Sequence, residues 1–395
     1  MERQKCVFFL VIINILILSS SNTLVMPFLP LYLEKSLGCT SDNLYFYTAL
    51  SYSITFVISM FASPLWGKLS DKIGKKNMLL RVLVILGISY YLASICQSAN
   101  QLVIARALQG LASGMTPALL AFTSTNSQSK DTGTHMGLFQ SFNLIGTIVG
   151  PIIGGLIAQK LEVRDCFNVI EFFILAILVI DFIFLKEPQT KNNSAYVSST
   201  SYKEILKSPI MQSLCSCILI HSAIIMMIVP MLLSYVIKLD GAENGNQIAL
   251  SGMIFSLSGL AGAITAPLWG KFGSKRGFLR VLHFSILLGA LTYTLITLTN
   301  NVYLFAIIQF FFGCCISAIP PCVHSIAAKH LNAKDHTKAY ALIYSAQQLG
   351  NLSGPILCTL IMYYTSTQNV FLAISSMLLL LSIYLLYVLV INKKN

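Results

Sequence analysis

The sequence predicts an all-α integral membrane protein, with twelve transmembrane helices in two parallel six-helix repeats. Three observations carry that reading. The chain of 395 residues is 55% hydrophobic and only 10% charged, with a mean hydropathy of +0.75, whereas soluble domains carry about 25% charged residues. Apolar segments, each near the ~20 residues that a bilayer-crossing helix needs, recur from end to end between short polar breaks. A set of Pro, Gly and charged landmarks also returns 203 or 204 positions later.

The apolar segments fall at about 6–33, 44–66, 78–96, 102–124, 136–158, 169–185, 211–237, 247–269, 281–299, 302–327, 339–362 and 370–391. The first follows Met1-Glu-Arg-Gln-Lys5, as in a signal peptide. Its apolar run is too long for an h-region and lacks an obvious small-x-small cleavage site, so it reads as a retained membrane helix.

An even number of spans puts both termini on one side, and the cations say which. Lys68, Lys72, Lys75, Lys76, Arg81, Lys203, Lys207, Lys271, Lys275, Arg276, Arg280 and both basic ends would lie in loops on the side of the termini, with Lys35, Lys160, Arg164 and Lys238 opposite. That bias places both termini in the cytoplasm under the positive-inside rule. It also explains the net charge of +12 without nucleic acid as a partner. The ten cysteines show no CxxC pair and read as small buried hydrophobes.

The break from Lys186 to Ser208 is rich in Ser, Thr, Asn and Lys and reads as a cytoplasmic linker. The expected division is 1–185, an N-terminal six-helix bundle; 186–208, the linker; and 209–395, the C-terminal bundle. Pro27 pairs with Pro230, Pro64 with Pro267, Gly110 with Gly313 and Pro117 with Pro320; Lys130-Asp131 pairs with Lys334-Asp335, and Gly150-Pro151 with Gly354-Pro355. Parallel repeats with a substrate site between them describe an alternating-access transporter.

The polar stretch 67–76 carries the most charge. Gly67 and Gly74 would permit a tight turn, Lys75 and Lys76 would fix orientation, and Asp71 could accept from helix N-termini or basic partners. Its repeat at 270–277 has Ser274 in place of Asp71, so a charged gate would be asymmetric. Few ionisable groups fall within the apolar segments, where charge is costly and functional by default. Arg106 suits proton relay or an anionic group of a substrate, with snorkelling as the bland alternative. His221 lies near mid-helix and can titrate near neutral pH; a hydrogen-bonded structural His is equally expected. Asp181, five residues before Lys186, reads as a loop or helix-end partner, or as a proton carrier. Asn22, Gln109, Asn143, Met226 and Gln347 could line a cavity, although packing is the commoner fate of such residues.

These motifs resemble the major facilitator superfamily, and within it the twelve-helix drug–proton antiporters. The loop matches that family's GxLxDrxGrkxxl signature, with Lys75 where Arg is usual. Leu102, Arg106, Gln109 and Gly110 meet lxxxRxxqGxgaa, and Gly146, Gly150, Pro151, Gly154 and Gly155 meet the gxxxGPxxGG motif of helix 5. The resemblance implies a proton-coupled exporter of a small amphipathic molecule in a bacterial inner membrane, acting as a monomer, with no cofactor or metal beyond the proton gradient. One departure bears on cargo. The first helix reads Ser19-Ser-Ser-Asn-Thr23, where many drug antiporters place an acid. A neutral or carboxylate-bearing cargo, such as a siderophore or acidic metabolite, is therefore weighed beside drugs. An importer of the same fold is the alternative function. An enzyme finds no support in HExxH, GxSxG or phosphate-loop patterns.

Overall fold

The computed structural model describes residues 2–112, 132–185, 201–240, 246–331 and 336–391, and every regular element among them is helical. In chain order these are α1 (Glu2–Leu24), α2 (Ser41–Ile73), α3 (Lys75–Ile95), α4 (Ala99–Leu111), α5 (Thr132–Lys160), α6 (Val163–Phe184), α7 (Pro209–Asp240), α8 (Gln247–Arg276), α9 (Phe278–Ile296), α10 in two segments (Val302–Ile316 and Ile319–His330), α11 (His336–Tyr364) and α12 (Thr367–Ile391). Among the described residues, ten spans are long and apolar enough to cross a membrane. The expected fourth span is described only to Ala112, and the expected eleventh is α11, whose Gln347, Gln348 and Asn351 make it less apolar. Pro117, Lys130-Asp131 and Lys334-Asp335 lie outside the described residues.

The chain divides into two compact units. One holds Met1–Asn192 with Gly245–Ser256, and the other Asn193–Asn244 with Leu257–Asn395. The start of α8 therefore packs with the first unit. Within the break read as a linker, Tyr202–Lys207 is a short helix. Its Ser201 and Glu204 form a reciprocal capping box, which satisfies two otherwise orphaned backbone donors.

Each unit is built around one close helix pair, α1 with α5 and α7 with α11. The reason is steric. A Cβ at Gly146, Gly150 or Gly154 would collide with the α1 backbone at Leu16, Ser20 or Leu24, and one at Gly350 or Gly354 with the α7 backbone at Leu219 or Ala223. Without side chains the two backbones approach closely. In lipid, where no hydrophobic force separates helix from solvent, that contact is the main source of association.

The polar hinge is shorter than its sequence suggests. α2 stays helical to Ile73, so Gly67 lies within a helix and makes no turn. A single Gly costs a helix only about 1 kcal/mol relative to Ala, and no helix-breaking residue follows Pro64 before the chain reverses. Reversal takes place at Gly74, whose φ of 88° is open to glycine but strained for other residues. Gly277 does the same between α8 and α9 with φ 93°. Arg81, expected in the loop, stands instead within α3.

An aromatic lock is also duplicated. The Tyr32 hydroxyl donates to Ala93 O at 2.8 Å and lies 3.2 Å from Cys96 Sγ, while its ring meets Phe167 edge-on. In the second unit Tyr235 donates to Ile296 O at 3.5 Å, lies 3.2 Å from Thr299 Oγ1, and meets Phe371 edge-on.

Candidate functional site

The first unit gathers most of the polar chemistry. α4 lies close on α2 because Gly110 meets Thr55 O and Ile58, and Thr55 Oγ1 donates to Arg106 O at 3.0 Å. This holds the Arg106 side chain inside the unit, 7% exposed, and excludes snorkelling. Arg106 Nη1 donates to Gln109 Oε1 at 2.8 Å. Its Nε and Nη2, and Gln109 Nε2, have no hydrogen-bond partner among the described residues. Tyr90 and Tyr52 are phenolic neighbours of the guanidinium, and both also tie down α1 and the chain just after it. Tyr90 donates to Ser21 O at 3.1 Å, and Tyr52 to Met26 O. The second half of α1 is therefore clasped by α2 and α3 beside a buried, under-coordinated guanidinium. Such a group can engage a carboxylate or another strong acceptor.

The other candidates are dispersed. Asn143 of α5 accepts from Ser19 of α1, adding a polar contact to the glycine-lined pair. Asn22 is exposed on α1. Gly155 faces Ile248 and Ala249, and Pro151 O faces Gly252, so the helix 5 motif presents one glycine face to α1 and a second to the start of α8. Ser256 Oγ strengthens the second contact by donating to Ile148 O at 2.6 Å. In the second unit His221 is buried on α7 with Nδ1 unpartnered among the described residues. Met226 packs where Gly354 brings α11 near, Gln347 is half-buried, and Asn351 donates to the adjacent Gln348 at 3.0 Å.

Of the expected gate, Gly74 forms the turn and Lys76 Nζ donates to Phe182 O of α6 at 3.0 Å. The side chains of Asp71 and Lys75 lie outside the described residues. Asp181 is neither in a loop nor at the surface. It occupies the last turn of α6 with no exposed area, and Asn14 Nδ2 donates to its Oδ1 at 3.1 Å.

Two contacts were not anticipated from the sequence. That of Asn14 with Asp181 is one of them, and an amide within the apolar run of α1 is a usable sequence signal for such a contact. Arg81 stacks its guanidinium 3.4 Å from the centre of the Trp66 ring, with none of its nitrogens hydrogen-bonded among the described residues. No spacing rule signals a cation–π pair between separate helices.

Known proteins place this architecture. Residues 11–245 and 214–395 match the family described as Major Facilitator Superfamily. The chain is similar to the multidrug resistance protein MdtG of Proteus mirabilis (strain HI4320), 30% identical over 339 residues, or 85% of this chain and 84% of the relative. It is likewise 30% identical over 367 residues to the MdtG protein of Salmonella typhimurium (strain LT2), covering 92% of this chain and 90% of the relative. Among solved structures, the nucleoside transporter NupG superimposes with a TM-score of 0.80 at 14% identity, covering 98% of this chain and 99% of that one. The human organic anion transporter MFSD10 does so with a TM-score of 0.71 at 17% identity, covering 97% and 99%. At these identities the two structures speak for the fold.

Proposed function

The chain belongs to the Major Facilitator Superfamily, and from that premise we propose that it exports a small amphipathic molecule, driven by protons re-entering the cell. As a member of the family it is a multi-pass membrane transporter and not an enzyme. What supports export is the conjunction of two facts: relatives named for multidrug resistance match most of its length, and the helix 5 motif is present in full with Gly146, Gly150 and Gly154 seated on α1. The cation bias of the loops supports a bacterial inner-membrane location with both termini in the cytoplasm.

The observation that carries the cargo reading is Arg106, a buried guanidinium with two nitrogens open to an acceptor. A lone buried cation repels a cationic drug and attracts an anionic or strongly accepting group. We therefore assign it neutral or carboxylate-bearing cargo. The relatives named above give no support to a siderophore. Binding energy from cargo and proton would each shift the same equilibrium between inward- and outward-facing states, as linkage requires.

Everted membrane vesicles test direction. Acidifying their interior should drive a carboxylate-bearing fluoroquinolone into vesicles holding the protein, and a protonophore should abolish the accumulation. Accumulation only in right-side-out vesicles would make the protein an importer.

A further inference from the structure

Asn14 and Asp181 form an incomplete pair. They lie 167 residues apart in sequence, on α1 and α6. Asn14 uses both amide hydrogens, one to Leu10 O at 2.9 Å and one to Asp181 Oδ1 at 3.1 Å. That leaves two buried oxygens, Asn14 Oδ1 and Asp181 Oδ2, with no hydrogen-bond partner among the described residues. Both side chains are fully inaccessible to solvent.

Chemistry makes those two orphans complementary. An ionised carboxylate only accepts, and an amide oxygen only accepts, so the pair has two acceptors and nothing to join them. A proton on Asp181 changes this by turning one carboxyl oxygen into an O–H donor. The protonated acid and the amide then hold one donor and one acceptor each for the other, which is the complement that the two orphans lack. A buried polar group left unsatisfied is costly, and a buried lone charge more so.

Among the described residues, no surrounding charge supplies a hydrogen bond to either oxygen. From α3, Lys76 is the charged group that acts on Asp181, and its Nζ donates to Phe182 O, the next residue of α6. From α1 the described contact is the neutral Asn14, and side chains 1–6 lie outside the described residues. On α5, side chains 132–137 lie outside the described residues.

Resting on the proton-driven reading above, we propose that Asp181 is the site that binds the coupling proton, held as a neutral acid paired with Asn14. The step is simple proton binding. One proton adds to a carboxyl oxygen, the Nδ2–H bond to Oδ1 remains, and a new O–H bond to Asn14 Oδ1 forms. On release the proton passes to water at the near end of α6, about one turn away, and the carboxylate is left with a single side-chain donor. The ionised state is thus the less comfortable one in this packing, which favours rearrangement of α1 against α6 when the proton leaves.

Infrared difference spectra of the full-length protein in lipid vesicles, titrated with protons alone, test the assignment. Wild type should show a protonated-carboxyl C=O band that is lost in Asp181→Asn and moves to higher frequency in Asn14→Leu, which removes the acceptor. Asp181→Asn mimics the neutral acid in shape and hydrogen bonding, so it should keep its melting temperature and its capacity for drug exchange while losing pH-gradient-driven fluoroquinolone uptake at least tenfold. A C=O band unchanged in Asp181→Asn overturns the site. So does equal gradient-driven uptake by that variant and wild type. If wild-type vesicles show no gradient-driven uptake, the proton-driven reading itself falls, whatever the band does.

Discussion

The two units share a scaffold and differ in what they do with it. Each seats glycines of its fifth helix on the backbone of its first, turns its second hinge residue through a positive φ, and locks a tyrosine onto the same carbonyl with the same ring partner. At positions that correspond, however, the first unit has Arg106, Asn14, Asp181 and Arg81 where the second has Gln309, Cys217, Leu385 and Phe284. Gln309 is fully served, donating to Ser258 Oγ at 3.1 Å and accepting from Tyr293 at 3.4 Å. Trp269 donates to Cys314 O at 2.7 Å, whereas its counterpart Trp66 carries a guanidinium on its face. Neutral, satisfied positions hold a bundle together. Under-coordinated charges in a membrane unit are expensive and persist where they act. The scaffold is therefore duplicated, and the ionisable chemistry sits mainly in the first copy.

Substitutions in matched pairs probe the shared part. Gly150→Leu and Gly354→Leu should be the most damaging, and about equally so. Each forces a side chain into a helix backbone, which exceeds the ~1–3 kcal/mol of ordinary overpacking because backbone cannot move aside. The yield of monodisperse protein and its melting temperature in detergent would measure this. A well-folded Gly354→Leu protein beside an unfolded Gly150→Leu protein would mean that only the first pair matters to stability. Tyr32→Phe and Tyr235→Phe should have smaller effects. Each loses about 0.5–1.5 kcal/mol for one hydrogen bond, again alike in both units. The Tyr32 change is expected at the upper end, because its bond to Ala93 O is 2.8 Å against 3.5 Å for that of Tyr235. Melting curves of the two variants sharpen the comparison by ranking them.

Much of this architecture was legible in the residues. Hydropathy runs are one-dimensional, and so is a repeat: Gly110 with Gly313 and Gly150 with Gly354 could be paired without coordinates. The motif glycines also signalled close helix contact by composition alone. What could not be read was tertiary or local to a turn. Gly67 looked like half of a hinge, but α2 simply runs through it to Gly74. Arg81 reads as a loop cation because no pattern places a guanidinium on a tryptophan one helix away. Asp181 stands out in sequence as an acid within an apolar run, whereas its pairing with Asn14, 167 residues away, is tertiary. The burial of Arg106, which excludes snorkelling, depends on tertiary contacts such as the Thr55 bond from α2.

Uphill transport by Arg106→Gln and Gln309→Met, side by side in vesicles under the same imposed pH gradient, tests the division of labour most directly. Arg106→Gln makes the first unit match the second and keeps a residue that the second unit accommodates, so it should fold normally yet lose transport about tenfold or more, within the range of a typical coupling free energy. Gln309→Met should keep most of the wild-type rate. Equal losses in the two variants, or normal transport by Arg106→Gln, would contradict the account.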